Sequence, residues 1–200
     1  MVLTALLLLC GGWIIPYEYE SFSILYKFGM EKTYLRSGKV VGISVALLIF
    51  FQLLLASRLQ FMEEIFSKKR LLLLHRYNGI ILTLLVLAHP VLIKASENFI
   101  GYTLKKKYIP EFIGIGLLLV ILSVSLPAVF RTVFKLDYGR WLFLHRFGAT
   151  LVTVILPLHV LLVSDSFKSG PPRTGALVIF ALNGLLLARI WMIRIFQQKK

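Results

Sequence analysis

The chain has 200 residues, 58% of them hydrophobic and 16% charged, with a mean hydropathy of +0.82. A soluble domain is about half apolar and a quarter charged, so this balance belongs to a chain that meets lipid. The formal charge of +14 would suit nucleic acid. The basic residues fall between long apolar runs rather than along one polar face, however, which is the pattern of membrane flanks and argues for no nucleic-acid partner.

In chain order, the opening MVLTALLLLCGGWII lacks the basic start of a secretory signal and reads as an uncleaved, short first span, Leu3–Ile15, stopping at Pro16. Cys10 is the only cysteine, so no disulfide framework is possible, and the absence of C-x-x-C-H excludes c-type haem attachment. A spanning helix needs about 20 apolar residues. Val40–Ala56, Leu71–Ile93, Ile109–Phe130, Trp141–Val163 and Ala176–Ile195 meet or approach that length, joined by charged, turn-rich loops such as SDSFKSGPPR, Ser164 to Arg173. Lipid offers no partner for a bare backbone amide, and the apolar runs are continuous rather than alternating. The expected fold is therefore all-α: one polytopic six-helix transmembrane bundle over residues 1–200.

With six spans, both termini share a side with the loops Arg58–Arg70 and Arg131–Arg140. That side carries 13 of the 23 basic residues and only three acids, Glu63, Glu64 and Asp137. The bias predicts a multi-pass protein of the plasma (inner) membrane with cytoplasmic termini. Without the first span the amino terminus would move outside, and the carboxyl terminus would stay. A faint repeat is also visible: Leu-Leu-Leu-His75-Arg76-Tyr77 returns seventy residues later as Leu-Phe-Leu-His145-Arg146-Phe147, each copy opening a span that carries a second histidine.

All four histidines lie in two of these spans, His75 and His89 in the third, His145 and His159 in the fifth. Fourteen residues of helix rise about 21 Å and return to within ~40° of the same face. The two spans run in the same direction, so His75 is expected to face His145 near the inner surface and His89 to face His159 near the outer one. Two facing neutral imidazoles supply both axial nitrogens of a six-coordinate haem iron, which predicts two stacked haem b groups. A lone intramembrane histidine is as often a packing residue or a proton relay. Two equally spaced pairs at matching depths favour haem, and the ~21 Å within each span is too long for one tetrahedral zinc site. Gly79 and Gly148 are candidates for admitting the flat macrocycle, with close helix packing as the alternative. Arg76 and Arg146 are candidates for pairing with propionates, with snorkelling as theirs. Pro90 and Pro157 are possible kinks beside the outer histidines.

On these residues, within LLHRYNG…LAHPV and LFLHRFGA…PLHVL, the sequence resembles the ferric reductase-like transmembrane domain of ferric-chelate reductases and NADPH oxidases. The resemblance implies an oxidoreductase membrane subunit that carries electrons from a cytoplasmic flavin to the inner haem and outward to a ferric chelate or oxygen. Many such proteins continue into a domain for FAD or FMN and NAD(P)H. This sequence holds no G-x-G-x-x-G cradle, so those cofactors are expected only through a partner flavoprotein, another donor subunit or a missing domain. Arg189, Trp191 and Arg194 are candidates for guiding that donor, or plain positive-inside anchors. Lys94 and Lys105-Lys106-Lys107 are candidates for attracting anionic chelates, or a solvated basic loop. Competing functions are a quinol-linked cytochrome b subunit, a haem-free proton-coupled transporter and an anchoring protein.

Overall fold

The computed structural model describes the backbone of residues 2–101, 105–130, 133, 135 and 137–198, with the side chains of 2–5, 107, 194 and 196–198 outside the description. Those residues include the expected contributions of Lys107 and Arg194. The described chain is helical: α1 Val2–Glu18, α2 Phe22–Leu25, α3 Gly29–Ala56, α4 Gln60–Ile65, α5 Lys68–Ala95, α6 Ile109–Val129, α7 Tyr138–Val163 and α8 Gly170–Gln198. Five of them, α3, α5, α6, α7 and α8, are long and apolar enough to cross a membrane. Their many exposed leucines, isoleucines and phenylalanines form the outside of the bundle, as lipid contact requires.

Most helices overrun the expected apolar runs because their polar ends find partners. Helix α3 begins at Gly29 rather than Val40. Its first turns carry Arg36, paired with Glu20, and Lys39, whose ammonium donates to the Ser21 and Ser164 hydroxyls. Ser67 caps α5, and Asp137 caps α7 by accepting from the Gly139 and Arg140 amides at 2.9 and 3.2 Å. Helix α8 begins at Gly170, inside the expected loop. Gly170 takes φ +72°, and the prolines that follow sit where a missing N–H costs nothing.

The first segment differs in another way. Helix α1 runs through Pro16 to Glu18, and its 17 residues reach only about 25 Å against the ~30 Å of a hydrocarbon core. It packs along α3: the Trp13 indole donates to Ser44 Oγ at 2.8 Å, and Gly12 lies against Ile43 and Leu47.

Helices α3 and α5 form one antiparallel hairpin, and α6 and α7 form another. The buried core is drawn from all four: Val45 and Ile49 of α3, Leu82 and Val86 of α5, Leu117 and Ile121 of α6, Val152 and Leu156 of α7. These eight residues are four equivalent pairs. Each α6 position lies 72 residues after its α3 counterpart, and each α7 position 70 after its α5 counterpart. The core is thus a duplicated hairpin packed on itself, with α8 closing it against α3 and α7.

Candidate functional site

The eight core residues divide the histidines into two levels. His75 and His145 lie towards the end of the bundle where α5 and α7 begin, here the terminal level, and His89 and His159 lie at the opposite, distal level. Each level takes one ring from each hairpin. The ring centroids are 6.2 Å apart at the terminal level, with planes at 61°, and 6.4 Å apart at the distal level, with planes at 86°.

Both distal rings are anchored from behind. Nδ1 of His89 is 2.8 Å from the Gly38 carbonyl of α3, and Nδ1 of His159 is 2.9 Å from the Pro110 carbonyl of α6. A carbonyl only accepts, so each Nδ1 donates its hydrogen and each Nε2 keeps its lone pair. At the terminal level the rings lie beside the backbone of Gln52 and Val124, but among the described residues their buried Nδ1 atoms have no partner at full hydrogen-bond geometry. Gly38 and Pro110, like Gln52 and Val124, are 72 residues apart. The duplication that built the core therefore also places the supports of the histidines.

Gly79 and Gly148 stand at helix contacts. A Cβ at Gly79 would meet Gln52 Nε2 at 2.8 Å, and one at Gly148 would meet Val124 Cγ2 at 2.2 Å. Each glycine thus lets a side chain of a neighbouring helix come close. Arg76 is exposed and Arg146 half-buried, near enough to His145 for their charges to interact. Helices α5 and α7 continue through Pro90 and Pro157. Lys94 is engaged by Glu97 at 3.1 Å and the Ile100 carbonyl at 2.7 Å. Arg189 donates to the Ser57 and Arg58 carbonyls at 3.1 and 3.2 Å, and the Trp191 indole to Thr150 at 3.2 Å. These last three side chains therefore tie the fold together.

The described residues contain no group of three or more His, Cys, Asp or Glu side chains that would hold a metal ion, so a tetrahedral site is absent among them. What the geometry offers instead is a pair of opposed imidazoles, twice. Residues 41–156, more than half of the chain, match the family described as ferric reductase like transmembrane component. The chain belongs to that family. No curated protein and no solved structure matches it. The ferric reductase-like match takes in His75, His89 and His145 and stops at Leu156, so the pairing of His159 rests on the tertiary structure.

Sequence reading passed over several residues of this ferric reductase-like site. Gly38, Gly42, Pro110 and Gly114 back the distal histidines, and the signal for them was a second repeat, offset by 72 rather than 70. Trp141 lies one helical turn before His145, with ring centroids 5.5 Å apart, and the Tyr138 ring lies tilted against it at 5.6 Å. The buried Trp141 indole N–H has no hydrogen-bond partner among the described residues. Its four-residue spacing from His145 was the available clue.

Proposed function

We propose that this chain is a di-haem b-type oxidoreductase subunit that carries electrons through the bilayer from a flavin-bearing donor to ferric iron or oxygen. The observation that supports this most directly is the pairing of imidazoles from opposite hairpins at two levels. Two axial bonds of about 2 Å, plus the ~1.1 Å from each nitrogen to its ring centre, put opposed ring centroids about 6 Å apart. The measured 6.2 and 6.4 Å agree with that span. A carbonyl behind each distal ring is the support expected of a ligating histidine, because it fixes both tautomer and orientation. A bound haem supplies a one-electron ferric/ferrous couple at each level.

In this reading the chain's own residues hold, orient and insulate. His75 and His145 grip the terminal level, and His89 and His159 the distal one. Val45, Ile49, Leu82, Val86, Leu117, Ile121, Val152 and Leu156 fill the interval between the levels and keep it dry. Electrons then cross an apolar barrier that ions do not. The basic bias puts the terminal level in the cytoplasm beside a donor that carries FAD or FMN and oxidises NAD(P)H. Arg76 and Arg146 stand near that level as counter-charges for propionates. Helix α1 completes a six-helix bundle in the plasma membrane, its short length accommodated by local thinning.

The test is a reduced-minus-oxidised spectrum with haem counted per chain. Two b-type haems are expected. His75→Ala and His145→Ala should abolish the same spectral component, and His89→Ala and His159→Ala the other. A colourless protein from haem-sufficient cells, or losses that pair His75 with His89, would overturn the reading.

A further inference from the structure

Gly42 and Gly114 each lie against a distal histidine. A Cβ built on Gly42 would stand 2.8 Å from His89 Cε1 and 3.0 Å from its Nδ1. A Cβ on Gly114 would stand 2.6 Å from His159 Cε1 and 3.1 Å from its Nδ1. The two glycines are 72 residues apart, and each comes four residues after the carbonyl that anchors the same ring, Gly38 or Pro110.

Helix geometry explains the spacing. The Cα–Cβ bonds of an α-helix tilt towards the amino terminus, so the Cβ of residue i+4 leans over the carbonyl of residue i. That carbonyl already accepts the helical bond from the i+4 amide, and its second lone pair remains available. A side chain from a neighbouring helix reaches this lone pair most readily where residue i+4 has no Cβ. Both rings are half-buried and held at Nδ1 by those carbonyls, so a ring that retreats from an added Cβ gives up its anchor.

Resting on the two-haem reading, we infer that Gly42 and Gly114 are positioning residues for the distal level. Their missing side chains seat the two rings so that Nδ1 stays on the carbonyl one turn earlier and Nε2 is presented to the iron. The carbonyl bond raises ligand basicity and favours the ferric state. Loosening it is therefore expected to raise the distal midpoint potential and leave the terminal one alone.

Gly116 provides a matched control on α6, because a Cβ there meets nothing within 4 Å. Gly42→Ala and Gly114→Ala should lower the melting temperature of the purified protein in detergent relative to Gly116→Ala. In redox titrations they should shift one of two midpoint potentials upward. In a double-mutant cycle the melting penalty of Gly42→Ala should vanish in a His89→Ala background, and that of Gly114→Ala in a His159→Ala background. The cycle decides the matter even where a single variant folds badly, since removing the facing ring must rescue it. A penalty that persists without the ring would overturn the inference, as would variants that match Gly116→Ala in both melting and potentials. Wild-type protein without haem would instead overturn the function proposed above, and with it the presentation of Nε2 to iron.

Discussion

Single side chains at helix ends tie one helix to the next. Arg189 is the clearest case outside the site, since its guanidinium donates to the carbonyls of Ser57 and Arg58 just past the end of α3. Carbonyls at a helix end lack intrahelical partners, and a planar, permanently charged donor satisfies two of them from another helix. Arg189→Ala is expected to lower stability by about 1–2 kcal/mol, read as a lower denaturant midpoint in micelles. Arg189→Lys should recover only part of this, because an ammonium lacks the fork. Full recovery would mean that charge, not geometry, holds the joint. Arg189 and Lys94 thus both have partners within the chain, which composition alone does not reveal.

At the scale of elements, the two hairpins carry the molecule. Helices α3 and α6 present the anchoring carbonyls and the glycines, while α5 and α7 present the histidines. Because the α3–α5 and α6–α7 hairpins place core residues at equivalent positions, equivalent substitutions should behave alike. Ile49 of α3 and Ile121 of α6 are both 6% exposed and occupy the same position in the repeat. Replacing either with alanine should cost about 2–4 kcal/mol, with the two costs agreeing within about 1 kcal/mol. Unfolding titrations of both variants would check this, and a several-fold difference would show that the duplication is only geometric. Helix α1 lies outside the duplication and is held by Trp13, Gly12 and the buried Pro16 against α3.

The whole molecule is an apolar bundle with one histidine pair towards each end, and the proposed direction of electron flow depends on its orientation in the bilayer. If α1 crosses, both termini and the α3–α5 connection share one side. In a Cys10→Ser background, cysteines placed at Lys69 and Lys199 should react with an impermeant maleimide only after the cytoplasmic face is opened. Cysteines placed at Lys106 and Lys168 should react in intact cells. Labelling of a cysteine at Thr4 from the outside would show that α1 does not cross, while leaving the five longer helices in place.

Apolar runs between basic flanks determined from sequence alone that the chain is a helical membrane protein. The four histidines, spaced fourteen apart in two parallel spans, determined the two levels as well, because a helix of fixed pitch turns spacing directly into depth and face. The seventy-residue echo around His75 and His145 was legible for the same reason. The partner behind each ring was not, since backbone carbonyls carry no residue signature and the α3–α6 repeat survives only at scattered core positions offset by 72. Sequence likewise left Gly79 and Gly148 open between macrocycle and packing. Their neighbours Gln52 and Val124 come from other helices, and only the packing of one helix on another brings such distant residues together.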